Sequence, residues 1–149
     1  MSAERDADDP VALARAVAAR MMRADRVAPS LGIEVEEVGP GYATAAMTVS
    51  ATMINGVGIL HGGYTFLLAD CAFALACNSY GVDTVSRSCD IEFLAPARVG
   101  DRLRASATER HRHGRRGIYD VVVRRTDGTA IAEFRGHSSS FGSAEPRDD

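Results

Sequence analysis

Apolar residues recur at a spacing of three and four residues from Pro10 to about Val27. This spacing places them on one face of a helix. Asp9 before Pro10 suits an N-cap followed by a proline in the first turn. The helix is expected to end before Pro29, because the residue preceding a proline disfavours helical geometry. The apolar residues of this predicted amphipathic helix are Val11, Leu13, Ala14, Val17, Ala18, Met21 and Met22.

A second helical stretch, from Gly62 to about Asn78, is apolar on most of its faces. A helix of this kind is expected to be buried almost all round. Gly81 follows closely and matches the glycine that commonly ends a helix. Residues 50–61 precede this helix and have the small residues and glycines of an irregular loop. The sequence therefore predicts one central helix that the rest of the chain covers.

The rest of the chain has the alternating patterns and turn residues of β-strands. The Gly39-Pro40-Gly41 segment and the Asp127-Gly128 pair are the clearest predicted turns. The predicted strands are residues 33–38, 42–49, 84–94, 102–111, 117–125 and 129–141.

These elements predict an α+β protein whose antiparallel sheet curls around the helix at 62–78. Such a sheet buries one face only by wrapping an apolar partner, and that helix is the candidate. One helix inside a curled antiparallel sheet is the hotdog fold, here with an extra N-terminal helix. We expect a single domain over residues 10–142, with disordered ends at 1–9 and 143–149. Because such a sheet leaves part of its helix uncovered, we also expect a second subunit to cover it.

The composition narrows the functional classes. The 149 residues suffice for one domain, and a net charge of −3 argues against a nucleic-acid-binding module. The cysteines, Cys71, Cys77 and Cys89, form no CxxC pair, which disfavours zinc knuckles and disulfides and favours a reducing compartment. No signal peptide and no membrane-length apolar run is recognised. We therefore expect a cytoplasmic protein that binds neither nucleic acid nor membrane.

Asp70 is the main candidate for chemistry because it lies in the middle of the apolar helix. No Lys or Arg occurs between residues 62 and 80 to pair with it. A buried carboxylate without a partner has a raised pKa and is typical of catalytic sites. The alternative is a core aspartate whose carboxylate accepts a backbone N–H or a hydroxyl of a facing strand.

Gly62 is the second candidate because its N–H, at the start of the helix, has no acceptor within the helix. Such an N–H, supported by the helix dipole, suits the developing oxyanion of an acyl-transfer reaction. Eight residues separate Gly62 from Asp70, which is about 12 Å along a helix. The two groups therefore cannot serve one carbonyl within a single chain. Two antiparallel copies of the helix would bring Gly62 of one chain to Asp70 of the other.

Three further motifs allow both a functional and a plain structural interpretation. His61 either orients substrate or only bonds to the loop backbone, and Asn55 either lines the pocket or only forms the Asn-Gly turn. The His111-x-His113 pair has no acidic or thiol partner nearby, so we expect an exposed hairpin and no metal. The same hairpin carries four arginines that either contact CoA phosphates or form an exposed charged turn. They are Arg110, Arg112, Arg115 and Arg116.

The motifs around the second helix resemble the signature of the phenylacetate-degradation (PaaI-type) thioesterases, a branch of the hotdog thioesterases. The central part of the pattern is His61-Gly62-Gly63 followed by Ala69-Asp70, with Asn55 six residues before the histidine. The likeness covers roughly residues 31–142. It continues through Ala72-Phe73-Ala74, Ala76-Cys77-Asn78-Ser79, Ile91-Glu92-Phe93-Leu94-Ala95-Pro96, Gly100-Asp101 and Phe134-Arg135-Gly136.

By this resemblance, Asp70 is the catalytic carboxylate and the Gly62 N–H polarises the thioester carbonyl, while Asn55 and His61 line the pocket. The resemblance also implies acyl-CoA substrates, with aromatic acyl groups such as phenylacetyl or hydroxyphenylacetyl, no cofactor beyond the CoA of the substrate, no metal, and a tetramer built from dimers. Two alternatives stay open. One is a non-catalytic acyl-CoA-binding protein, and the other is a hotdog hydratase or dehydratase.

Overall fold

The structure is a computed structural model that describes residues 9–141. The N- and C-terminal residues for which we predict disorder lie outside this range, except Asp9. The described residues form helices α1 (Pro10–Ala24) and α2 (Gly62–Asn78), two short 3-10 turns and six strands. The strands are β1 (Glu34–Gly39), β2 (Tyr42–Thr48), β3 (Thr84–Phe93), β4 (Arg102–His113), β5 (Arg116–Arg125) and β6 (Ala130–Ser140). The predicted elements are therefore all present.

All six strands join one antiparallel sheet in the order β1-β2-β4-β5-β6-β3. Along the chain β3 comes directly after α2, yet it pairs with β6 at the edge of the sheet. The inward faces of the central strands are apolar and alternate with polar outward faces, as the burial of β5 and β6 shows. The sheet therefore has one buried face, which curves around α2.

Helix α2 packs on the concave face of the sheet through large side chains. Phe73 is 1% exposed, and its ring lies beside those of Tyr119 and Phe134, with centroids 5.5 Å and 5.9 Å away. Gly136 of β6 lies under the Phe73 ring, because a Cβ at that position would come within 2.7 Å of it. This close approach of helix and sheet forms the hotdog fold predicted from the sequence.

Helix α1 begins as predicted but ends earlier. The Asp9 carboxylate accepts the Val11 N–H at 2.9 Å, which caps the first turn. The helix ends at Ala24 and not near Val27. The cause is Asp25, whose Oδ1 accepts the N–H groups of Val27 and Ala28 in a local turn.

The described chain leaves the β3 edge and part of α2 uncovered. The outer edge of β3 pairs with no other strand among residues 9–141, and Phe93 on this strand is 54% exposed. Helix α2 also keeps a stripe of partly exposed residues at helical spacing, so the prediction of burial all round is wrong for the isolated chain. The stripe comprises Gly63, Phe66, Leu67, Asp70, Cys71 and Ala74. A long open strand edge beside an apolar stripe is typical of a surface that another chain covers.

Candidate active site

Asp70 lies at the middle of the uncovered stripe on α2. Its neighbours one turn away on the same face are Phe66, Leu67 and Ala74, all of which are apolar. No hydrogen bond or ion pair within residues 9–141 engages its carboxylate. The alternative of a core aspartate bonded to a facing strand therefore has no support within this chain.

Partial burial raises the pKa of the Asp70 carboxyl above its ordinary value, because the apolar surroundings disfavour the charged form. The adjacent Cys71 is the other side chain on this face that could in principle act as a nucleophile. Burial, followed by the charges of Asp25 and Asp70, raises the pKa of the Cys71 thiol to about 12. A thiol is a good nucleophile only as the thiolate, so Cys71 is unreactive near neutral pH. Asp70 is therefore the candidate for a reactive side chain on this face of α2.

Gly62 starts α2, and its N–H is free as predicted. His61 is the N-cap, and its side chain makes no capping bond. Within the described residues, neither the Gly62 N–H nor the Gly63 N–H reaches a backbone acceptor, whereas the Tyr64 N–H bonds the His61 carbonyl at 3.0 Å. Two adjacent free amides at a helix N-terminus form a small site for negative charge.

Phe93 is part of this site, and its role was not predicted. Its ring lies over Gly62, since a Cβ on that glycine would be 2.9 Å from the Phe93 Cζ. A larger residue would push this ring aside, so the glycine and the aromatic side chain fit together. The alternation along β3 predicts on which side of the sheet the Phe93 side chain lies. It does not predict the contact with Gly62, which lies 31 positions earlier in the chain.

His61 and Asn55 have different places in the loop before α2. The Asn55 Oδ1 accepts the N–H groups of Val57 and Ile59 at 3.1 Å and 3.2 Å, which gives this side chain a structural task in the turn. The His61 side chain is exposed, and its backbone N–H donates to the Met53 carbonyl at 2.9 Å. His61 therefore stands directly before α2 with its side chain exposed. The side-chain amide oxygen of Asn55 instead holds the loop together.

The remaining predicted motifs lie away from Asp70. The His111 and His113 rings are 6.5 Å apart on an exposed hairpin. Among residues 9–141, no three His, Cys, Asp or Glu side chains form a group able to hold a metal ion. No helix in this described part is long and apolar enough to cross a membrane.

Comparison with known proteins identifies the class to which this fold and this helix belong. Residues 57–132 match the thioesterase superfamily. The acyl-coenzyme A thioesterase PaaI of Escherichia coli (strain K12) is 43% identical over 122 residues, which cover 82% of this chain and 87% of that protein. The chain therefore belongs to the thioesterase superfamily.

Solved structures agree with this assignment. The structure of the E. coli PaaI protein from the phenylacetic acid degradation operon has a TM-score of 0.88 and 40% identity, covering 90% of this chain and 97% of that one. The TT0310 protein of Thermus thermophilus has a TM-score of 0.76 and 36% identity, covering 78% of this chain and 98% of that one. The predicted hotdog fold, the PaaI-type family and the class of enzyme, a thioester hydrolase, are confirmed.

Proposed function

We propose that this enzyme hydrolyses acyl-CoA thioesters to the free acid and CoA, with Asp70 and Gly62 in the catalytic site. The observation that carries the proposal is an unpaired, half-buried carboxylate on helix α2, which also begins with two free amides. The E. coli relative named an acyl-coenzyme A thioesterase supports the substrate class. By the same likeness we propose an aromatic acyl group of the phenylacetyl type.

The free amide of Gly62 would bind the carbonyl oxygen of the thioester. As a nucleophile attacks the carbonyl carbon, negative charge develops on this oxygen, and a preorganised N–H stabilises it. The half-exposed Phe93 ring on β3 lies over Gly62 and would exclude water from the Gly62 amide. Collapse of the tetrahedral intermediate then breaks the C–S bond and releases the CoA thiolate, which takes up a proton.

Asp70 would supply the nucleophilic half of the reaction in one of two ways. As a general base it removes a proton from a water molecule, whose oxygen then attacks the carbonyl carbon. As a nucleophile its carboxylate attacks directly, displaces the thiolate and forms a mixed anhydride, which water then hydrolyses. His61 would orient the substrate at the mouth of the site. Neither route requires a metal or a cofactor other than the CoA of the substrate.

The site would be shared between two subunits. Asp70 and Gly62 are eight residues apart on the same helix, which is about 12 Å along its axis, so one chain cannot apply both to one carbonyl. Pairing of two β3 edges would continue the sheet and bring the two α2 stripes together in antiparallel order, which also buries their apolar residues. We therefore propose a homodimer with two sites, which assembles further into a tetramer. We also propose a cytoplasmic location, where free thiols such as Cys71 stay reduced.

An assay of CoA release over a panel of acyl-CoA esters tests the proposed function. The panel contains phenylacetyl-, hydroxyphenylacetyl-, benzoyl- and straight-chain acyl-CoA, each with a non-hydrolysable thioether as a binding control. We expect the highest kcat/KM with the arylacetyl esters. Hydration of an enoyl-CoA without CoA release would indicate a hydratase, and tight thioether binding without turnover of any ester would indicate a binding protein.

The pH dependence of the reaction follows from the raised pKa of Asp70. Both routes need the charged carboxylate, so activity is present above this pKa and is lost as the pH falls through it. We expect the acid limb of kcat/KM to lie clearly above about pH 3.9, the ordinary aspartate value. The measurement is a profile of kcat/KM between about pH 4 and pH 8, within the range where the fold is stable. A rate that stays constant down to the lowest pH would contradict a role for ionised Asp70.

A further inference from the structure

A small cavity lies beyond the C-terminal end of α2, where β4 turns into β5. Its volume is about 160 Å³, below the range of about 300 to 1,000 Å³ that holds drug-sized ligands. The end of α2, the hairpin and the inward faces of β3, β5 and β6 enclose it. Its lining includes Cys77, Tyr80, Arg112, Arg116, Tyr119 and Ser138. A ligand that fits this space has only a few heavy atoms.

Ser138 provides an unused hydrogen-bond donor in this cavity. The residue is 3% exposed and lies on the inward face of β6. Its Oγ makes no hydrogen bond within residues 9–141 and is accessible to solvent in the cavity. Gly117 of β5 pairs with Ser138 across the sheet. Its lack of a side chain leaves space beside the hydroxyl, because a Cβ there would be 2.6 Å from the Ser138 Oγ. A hydroxyl that faces the cavity and has no protein partner is available to donate, so the cavity suits a ligand that accepts a hydrogen bond.

The charged groups around the cavity favour an anion. Arg112 and Arg116 line it, and its described lining contains no Asp or Glu. The Glu109 carboxylate accepts hydrogen bonds from the hydroxyls of Tyr80 and Tyr119 at 3.0 to 3.1 Å, and the Arg112 Nε is 3.5 Å from it. Arg116 has no ion-pair partner in the described part of the chain.

Two other groups on the α2 side do not oppose an anion. Burial raises the pKa of Cys77 to about 12, so its thiol is neutral. The carbonyl oxygens at a helix C-terminus carry partial negative charge, but here side chains cap two of them. The Asn78 Nδ2 donates to the Ala74 carbonyl at 2.9 Å, and the Ser79 hydroxyl donates to the Ala76 carbonyl at 2.7 Å.

We propose that this cavity binds a small tetrahedral oxyanion, either inorganic phosphate or sulfate or the terminal phosphate monoester of a larger molecule. The Ser138 hydroxyl and the guanidinium groups of Arg112 and Arg116 donate to its oxygens, as charge-assisted bonds to phosphate require. The site is separate from Asp70, because Cys77 lies seven residues, about 10 Å, further along α2. Its occupancy does not depend on thioester hydrolysis.

Calorimetric titration with inorganic phosphate at constant ionic strength tests this site in the full chain. We expect saturable binding that weakens about tenfold or more in Ser138→Ala and in Arg116→Gln, since each removes a donor to a charged group. Arg20→Gln is the matched control, because it removes the same charge from an exposed position on α1 and should bind phosphate like the wild type. Arg116 is also exposed, so its variant is expected to fold even if Ser138→Ala is destabilised.

Three results would overturn the proposal: no saturable binding, equal affinity in all four proteins, or an equal loss in Arg20→Gln and Arg116→Gln. The source of the oxyanion is found by competition. Displacement of phosphate by CoA but not by 3′-dephospho-CoA identifies the terminal phosphate of CoA as the bound group. If neither competes, the site takes the free ion. Both results are independent of CoA release, so failure of the proposed function would not affect this test.

Discussion

The Asp70→Asn variant is expected to lose at least about 10²-fold in kcat while it still binds acyl-CoA. The amide has nearly the shape of the carboxylate but can neither take a proton from water nor attack a carbonyl, and general-base catalysis commonly contributes about 10²- to 10⁴-fold. The measurement is steady-state CoA release together with the affinity for a non-hydrolysable thioether. The loss should appear in kcat and leave that affinity within a few-fold of wild type.

Asp83→Asn is the matched control for this change. Asp83 is an exposed aspartate in the turn that follows α2, so its substitution removes the same charge outside the proposed site. We expect wild-type activity from it. If Asp70→Asn keeps activity within about tenfold of wild type, or if both variants lose activity equally, Asp70 is not the catalytic carboxylate.

The sequence was sufficient for the parts of the fold that local interactions decide. The Asp9 cap, the bounds of α2 at Gly62 and Asn78, and the turn at Asp127-Gly128 depend on residues close together in the chain, and all are confirmed. The end of α1 was missed although its cause is also local. Asp25 competes for the next backbone N–H groups, and the apolar periodicity that continues past Ala24 concealed this turn.

Contacts between distant segments were not predictable from one sequence. The placement of β3 beside β6 and the Phe93 ring over Gly62 each join residues more than 25 positions apart. The alternation along a strand shows which side chains share a face but not which element they meet. For the same reason Ser138 gave no signal as a candidate ligand-binding residue, because the cavity that it lines is formed by five separate elements.

The apolar sequence of α2 predicts more burial than the helix has in a single chain. The helix is apolar on nearly all faces, but the sheet of its own chain leaves the stripe around Asp70 partly exposed. An apolar pattern reflects the burial of a helix in the whole assembly. A single chain buries only part of that apolar surface. The uncovered stripe is thus the same feature that the proposed shared site requires.

Gly62→Pro is expected to reduce kcat by about 10²- to 10³-fold, the usual effect of removing one oxyanion-hole donor. Proline removes the N–H, and the first position of a helix accepts proline readily. The backbone before it is also suitable, because His61 has φ −62° and ψ 130°, in the region that a residue preceding proline prefers. Gly62→Ala is the control, since it keeps the N–H and crowds the same Phe93 ring. Equal losses in both variants would mean that crowding, and not the amide, matters.

Mixing the Gly62→Pro and Asp70→Asn chains then tests whether the site is shared. Each homo-oligomer should be nearly inactive, because every site lacks either the amide or the carboxylate. After joint refolding of equal amounts, a random partner supplies an intact Gly62 to an intact Asp70 in about one site in four, which should restore about a quarter of wild-type activity. If both groups acted from one chain, every chain in the mixture would carry a lesion and no activity would return. Restoration therefore requires that the helix amide and the carboxylate of one site come from different subunits.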